Sequence, residues 1–148
     1  MDWVWVLIAV LRAASPAPDD QWATRLNGLD SVRAEAFSTA DAALLDRVYV
    51  RGSRAQEADA ATLADYRRRG GRVVGADLRI ISCRVVSASS SDARLDVTDQ
   101  LGPARVVWSD GSATELPRDE PSRRVITLVR TSEGWRIAGV SLRPSSRR

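Results

Sequence analysis

Residues 122–142 read SRRVITLVRTSEGWRIAGVSL, two alternating apolar runs joined by a turn at Ser132, Glu133 and Gly134. Alternating apolar runs on either side of a short turn that contains glycine are typical of a β-hairpin. Helical patterns occupy the first half of the chain, and strand patterns occupy the second half. The sequence therefore predicts an α+β domain in which three N-terminal helices pack on a curved antiparallel sheet.

The first predicted helix has a clear apolar stripe. Its apolar members Trp22, Leu26, Leu29 and Phe37 recur at helical spacing together with Arg33, and Val32 and Ala36 widen the stripe. Asp20 is a suitable N-cap residue for this helix, whereas Asp30 is expected on another face.

Two further helices are predicted before the first strand. A short helix is expected from about Asp41, another residue suited to capping, to Tyr49. The next helix is expected over residues 58–69, because Gly70 and Gly71 can end it in a left-handed conformation.

Strand patterns begin after the third helix, where the apolar period falls to two. The adjacent pair Ile80 and Ile81 interrupts the alternation of the first long strand, which predicts a β-bulge or burial of both faces. In the last strand, Trp135 and Ile137 are expected on one face. The opposite face is expected to carry Ala138, Val140 and Leu142.

Composition excludes several kinds of catalytic site. The chain has 148 residues, enough for one domain whose core needs no metal or disulfide. It contains no His and no Lys, so all 22 basic residues are arginines. A Ser-His-Asp triad, a Lys Schiff base and a His-ligated metal are therefore excluded. Cys83 is the one cysteine, which excludes an internal disulfide, and we expect neither a metal nor another cofactor.

The net charge of +3 comes from the C-terminal tail rather than from the domain. Residues 143–148 contain three arginines and no acid, so the rest of the chain is neutral. Arg67, Arg68 and Arg69 form the other basic cluster, at a predicted helix end where the helix dipole favours cations. One short cluster provides too few phosphate contacts for useful affinity, so nucleic-acid binding is not expected.

An apolar run, WVWVLIAVL, occupies residues 3–11 and precedes a polar linker at residues 15–20. The run is shorter than the ~20 residues that cross a bilayer, but it has the length of the apolar region of a signal peptide. No basic residue precedes it, and Asp2 has the wrong charge for an export signal. Three interpretations stay open: the end of a transmembrane helix that starts upstream of Met1, a weak export signal, or a segment packed on the domain.

These features divide the chain into three parts. An apolar segment and linker occupy residues 1–18, the domain occupies residues 19–143, and a basic tail occupies residues 144–148. We expect the apolar run to associate with a membrane, which places the domain at a membrane or outside the cytoplasm. A cytoplasmic location is the alternative.

The order of elements and two stretches of sequence resemble the NTF2-like superfamily, the cystatin-like cone fold that includes SnoaL-type polyketide cyclases and ketosteroid isomerase. The closing TLVRTSEGWRIAGV resembles the final strands of that fold, with a Trp-Arg-Ile step after a glycine turn. The stretch LDSVRAEAFSTADAALLDRVYVRGS is similar to small uncharacterised bacterial domains of the membrane-anchored or exported type. The resemblance covers about residues 20–142, and it implies a cone-shaped pocket and a homodimer formed through the sheet face.

Two catalytic arrangements of the superfamily can be compared with these residues. The His-Asp pair of the SnoaL-like cyclases is absent, because the chain has no His. Members similar to ketosteroid isomerase use a carboxylate base opposite a tyrosine and a protonated aspartic acid. The two tyrosines here are Tyr49, which also suits packing at the narrow end of the cone, and Tyr66, which also suits packing against the sheet.

The candidate pocket residues are Trp22, Tyr49, Tyr66, Asp99, Trp108 and Trp135. Asp99 could point inward, either paired to an arginine or as the one acid of the pocket. Asp96 is expected to be exposed, because it shares a strand face with Arg94 and Thr98. Trp108 and Trp135 suit an aromatic pocket wall, and core packing is the alternative for both.

Two functions of different class are consistent with the sequence. The first is a non-catalytic domain that binds a small apolar ligand or a partner protein, with no residue assigned a catalytic role. The alternative is a small isomerase or cyclase that uses an isolated carboxylate and a tyrosine. An open cavity with an inward acid near Tyr49 or Tyr66 favours the enzyme, whereas a cavity filled by Trp and Leu side chains favours the binding domain.

Overall fold

A computed structural model describes residues 18–143 of the chain. The apolar run at residues 3–11 and the basic tail at residues 144–148 lie outside the described residues. No helix within residues 18–143 has the length and apolar character needed to cross a membrane.

Three helices come first in the described chain: α1 (Pro18–Thr39), a 3-10 helix (Ala42–Arg47) and α2 (Arg54–Arg68). Helix α1 begins at Pro18, so Asp20 lies in its first turn and is not the N-cap. Asp41 caps the 3-10 helix as predicted, because its carboxylate accepts a hydrogen bond from the Ala43 amide. Helix α2 begins four residues before the predicted start, because the Ser53 hydroxyl accepts from the Gln56 amide.

Seven strands follow, and their bounds are β1 (Gly71–Val74), β2 (Leu78–Ala88), β3 (Asp92–Leu101), β4 (Arg105–Trp108), β5 (Ala113–Glu115), β6 (Ser122–Thr131) and β7 (Gly134–Leu142). Strands β2, β3, β6 and β7 pair in that order as one antiparallel sheet. A smaller antiparallel sheet has the order β1, β4, β5. The predicted α+β architecture, with N-terminal helices packed on antiparallel strands, is confirmed, although the strands form two sheets rather than one.

Helix α1 lies along the edge strand β2 and satisfies backbone donors that the sheet leaves free. The Asp19 carboxylate accepts a hydrogen bond from the Val85 amide at 3.0 Å. The Asp30 carboxylate accepts from the Leu78 amide at 2.8 Å. Covering an edge strand in this way also blocks pairing with another chain at the amides of Leu78 and Val85.

The larger sheet has three register shifts: one between β6 and β7, and two between β2 and β3, the second of which lies between Val85 and Ser87. The pairing of β2 with β3 shifts between Ile80 and Ser82, which confirms the bulge predicted at Ile80 and Ile81. In the β6–β7 hairpin, Leu128 pairs with Ile137 and Thr127 pairs with Gly139, so Ala138 is the extra residue.

The bulge at Ala138 changes the faces of the last strand. On the paired strand β6, Val140 is opposite Ile126 and Ile137 is opposite Leu128. Ile126 and Leu128 are two residues apart and therefore lie on one face. Val140 and Leu142 therefore lie on the same face as Ile137. The prediction that they lie on the opposite face was wrong, because strict alternation ends at a bulge.

The core lies between the helices and the inner face of the larger sheet. Its largest fully buried apolar side chains are Leu45, Val48, Leu95, Val97, Val106 and Leu128. Trp22 of α1 and Trp135 of β7 meet edge to face with ring centroids 4.9 Å apart. Trp135 therefore packs against the helix layer.

Candidate functional site

A cavity of about 520 Å³ lies between the helices and the inner face of the larger sheet. Its size falls within the range of small-molecule sites. Most of its wall is apolar, with contributions from α1, the residues after the 3-10 helix, α2 and four strands. The apolar side chains of the wall include Leu26, Val48, Ile80, Leu101, Ile126 and Ile137.

The exposed members of the wall mark the mouth of the cavity. Arg54 and Ala58 of α2 are exposed on one side. On the other side, Val140 is 37% exposed and Leu142 is 69% exposed. The bulge at Ala138 places these two apolar residues there, so the mouth has an apolar lip.

Arg33 and Asp59 form an ion pair in the cavity wall that joins α1 to α2. Arg33 donates two hydrogen bonds to the Asp59 carboxylate, at 2.6 Å from Nε and 3.1 Å from a terminal nitrogen. The Tyr49 hydroxyl donates to the same carboxylate at 2.5 Å. Burial, together with the negative charge of Asp59, raises the pKa of Tyr49. Tyr49 therefore keeps its proton and donates it in a hydrogen bond to Asp59.

Asp99 and Arg124 form a second ion pair in the wall. The Arg124 Nε donates to the Asp99 carboxylate at 3.0 Å, and the Asp99 side chain is 2% exposed. Burial raises the pKa of Asp99, and Arg124 opposes that effect. Asp99 thus points inward and is paired to an arginine, but it is one of several acids that line the cavity.

Asp30 differs from the other buried acids because it has no paired arginine. One carboxylate oxygen accepts from the Leu78 amide, while the other, Oδ1, is buried and has no hydrogen-bond partner within the described chain. Asp30 is 9% exposed and lines the cavity. Burial raises its pKa to about 6, despite the Leu78 hydrogen bond and the charge of Arg33.

The structure brings two of the predicted pocket residues, Tyr49 and Asp99, together in the cavity wall. The other four do not line this cavity. Trp22 and Trp135 pack on each other, and the Arg25 guanidinium lies over both rings at 4.6 and 5.1 Å.

Tyr66 and Trp108 lie at the C-terminal end of α2, away from the cavity. The Arg69 guanidinium lies 4.8 Å from the Tyr66 ring centroid and 5.7 Å from that of Trp108. The strand that carries Trp108 approaches β1 closely, since a Cβ built on Gly71 would lie 2.8 Å from the Trp108 ring. These aromatic rings therefore have packing roles.

Asp96 is not exposed as predicted. Its side chain is 7% exposed, because Arg84 and Arg123 cover it from the neighbouring strands. Arg123 donates two hydrogen bonds, at 3.0 and 2.6 Å, and these hold the pKa of Asp96 well below its ordinary value. Asp96 does make polar contacts across the strands, but the long side chains of Arg84 and Arg123 shield its carboxylate from water.

Sequence reasoning missed Asp30, Asp59, Arg33 and Arg124 as cavity residues. A signal was present for two of them, because Leu26, Asp30, Arg33 and Phe37 share one face of α1 at spacings of four, three and four residues. A charged residue on the buried stripe of a helix indicates a polar site inside the domain. Within residues 18–143, no group of three or more Cys, Asp or Glu side chains is arranged to hold a metal ion.

Comparison with known proteins identifies the fold. No protein-family profile and no curated protein sequence matches the chain. The intermembrane-space region of the chloroplast protein ARC6 has a TM-score of 0.62 at 16% identity, covering 88% of this chain and 100% of that one. A Streptomyces avermitilis protein described as a dehydratase from the NTF2-like family has a TM-score of 0.53 at 12% identity, covering 87% and 99%. The fold is NTF2-like.

A third solved structure supports the same assignment. Aln2 from a Streptomyces species matches the NTF2-like domain with a TM-score of 0.53 at 17% identity, covering 86% of this chain and 91% of that one. At these identities the matches show the fold alone. The resemblance stated from the sequence is therefore confirmed for the fold, and the membrane-anchored or exported type stays a prediction.

Proposed function

We propose that this NTF2-like domain binds a small, mostly apolar molecule in the cavity between its helices and the larger sheet, without catalysing a reaction. The observation that carries the proposal is an open cavity of about 520 Å³ with an apolar wall and a few inward polar groups. Well-packed interiors contain few voids larger than a water molecule, so a space of this size indicates a binding site.

The hydrogen bonds of the wall favour binding over carbonyl chemistry. A tyrosine that polarises a substrate carbonyl must offer its hydroxyl proton to that oxygen. The Tyr49 proton is already donated to Asp59, which also receives two hydrogen bonds from Arg33. An incoming carbonyl would have to break a charge-assisted network to reach this proton.

Asp30 supports the second candidate, a small isomerase or cyclase. A general base works best when its pKa is close to the working pH, and burial raises the pKa of Asp30 to about 6. Asp30 lines the cavity and its buried Oδ1 has no hydrogen-bond partner within the described residues, so this carboxylate could accept a proton from a bound substrate. Isomerisation of a β,γ-unsaturated ketone that Asp30→Asn abolishes in a folded protein would favour this candidate.

Binding can be tested with N-phenylnaphthylamine, a neutral dye that fluoresces strongly in apolar surroundings. Ala58→Trp adds a large ring at the mouth of the cavity and should weaken dye binding at least about tenfold by occupying the space. Ala64→Trp is the matched control, because Ala64 lies on the exposed, opposite face of α2. Equal dye binding by both variants, or no binding by the natural protein, would contradict the proposal.

Membrane association through residues 3–11 and a homodimer through the sheet face are also part of the proposed biology. The apolar run supports the membrane association. A location of the domain outside the cytoplasm agrees with the intermembrane-space origin of the ARC6 region. Two exposed apolar residues of β2, Ile81 and Val86, support a protein contact on the sheet.

A further inference from the structure

One buried acceptor in the cavity is left without a partner. Asp30 Oδ1 has no hydrogen bond within residues 18–143, although its side chain is nine-tenths buried. Buried polar atoms in native proteins nearly always have a partner, and an orphaned one costs free energy. Asp30, the residue that carries this atom, lines the cavity, so a molecule bound there would lie beside its side chain.

The charges around Asp30 are not balanced by the protein. Arg33, one turn further along α1, is the nearest cation, but its guanidinium is bonded to Asp59. The other charged groups that act on Asp30 are Asp77 before β2 and Asp99 on β3, and both are acids. Asp99 is itself bonded to Arg124. The inner part of the cavity therefore presents an uncompensated negative charge within an apolar wall.

We propose that the ligand is a lipophilic amine, an apolar molecule whose single ammonium group donates a hydrogen bond to Asp30 Oδ1. This inference rests on the proposed binding function and names the chemical class of its ligand. The ammonium would give the orphaned oxygen its missing donor and would neutralise the buried charge. The apolar body would contact Leu26, Ile80 and Ile126 and extend toward the lip formed by Val140 and Leu142.

A neutral or anionic ligand fits this end of the cavity less well. A carboxylate at this end would meet Asp30 and Asp99, while Arg33 and Arg124 are already bonded to acids. Arg54, the third arginine of the wall, is exposed at the mouth. A neutral alcohol could donate one hydrogen bond but would leave the buried charge unbalanced. The ammonium is the one of these three groups that satisfies both the hydrogen bond and the charge.

The test compares three probes that share one apolar body: biphenylmethylamine, biphenylmethanol and biphenylcarboxylate. Titration calorimetry with the full chain at pH 7.5 measures each dissociation constant. We expect the amine to bind about tenfold to a hundredfold more tightly than the alcohol, and the carboxylate to bind most weakly. Asp30→Asn should remove the preference for the amine while retaining binding of the alcohol.

Asp77→Asn is the matched control, because it removes one exposed carboxylate near Asp30 from outside the cavity wall. It should keep a preference for the amine of at least about tenfold. Equal binding of amine and alcohol by the natural protein, or an amine preference that survives Asp30→Asn, would overturn the amine assignment and leave the binding function standing. Failure of all three probes to bind would overturn both.

Discussion

The ionised Asp30 side chain should reduce the stability of the folded domain near neutral pH. Burial raises its pKa from 3.8 to about 6, which corresponds to roughly 3 kcal/mol of unfolding free energy once the group is ionised in both states. We expect Asp30→Asn to be more stable than the natural protein by about 1 to 3 kcal/mol at pH 7.5. Urea unfolding measures the difference directly.

The pH dependence provides the control for this prediction. Because folding raises the pKa of Asp30, the folded domain holds this proton more tightly than the unfolded chain does. The resulting stability is fully present below pH 3.8, the pKa in the unfolded chain, and is lost as the pH rises through 6. The gain from Asp30→Asn should therefore be largest above pH 7 and should shrink toward zero near pH 4. A stability gain that does not change with pH would contradict the prediction, because it would mean that ionisation of Asp30 does not destabilise the folded domain.

At the scale of the strand, the bulge at Ala138 determines which side chains reach the cavity. Val140 lies on the cavity face and Ser141 on the other face, because the extra residue reverses the alternation that starts at Ile137. Val140→Asp should weaken N-phenylnaphthylamine binding about tenfold, since a charge would replace part of the apolar lip.

Ser141→Asp is the matched control on the same strand, and fluorescence titration of both variants compares them directly. Dye affinity should be unchanged in Ser141→Asp, because this residue is exposed on the far side of the sheet. The opposite pattern, with Ser141→Asp weakening binding and Val140→Asp neutral, would mean that the strand alternates without a bulge.

The hairpin, the short helix and the faces of β7 show which features can be predicted from the sequence and which cannot. Alternation on either side of Gly134 and the capping chemistry of Asp41 are local signals, so they predicted the hairpin and a short helix after Asp41. That helix has 3-10 geometry and ends at Arg47, two residues before the predicted end. The faces of β7 were predicted wrongly, because one unpaired residue depends on the pairing with β6 and has no marker in the chain. Periodicity is reliable within a strand only up to its first bulge.

At the scale of the molecule, the resemblance implied a pocket, but the polar lining of the cavity was the least predictable feature. Asp59 lies on α2, Arg33 on α1 and Tyr49 just after the 3-10 helix, so they meet only when the helices pack together. The order of helices before strands predicted the NTF2-like fold, but the fold does not determine how far the helices stand from the sheet. That distance decides whether aromatic rings fill the cone or leave it open, and here Trp22 and Trp135 pack beside the cavity rather than in it.

The apolar run at residues 3–11 leads to a prediction about the whole chain. Nine consecutive apolar residues exposed on a water-soluble monomer would drive association with lipid or with other chains. We expect the full chain to sediment with phospholipid vesicles, whereas a chain that begins near Asp19 should stay in the supernatant with the same far-ultraviolet circular dichroism. Trp3→Asp combined with Leu7→Asp should release the full chain from the vesicles, because charges at these positions oppose insertion. A full chain that stays monomeric in the supernatant would contradict the anchor and would place the segment against its own domain.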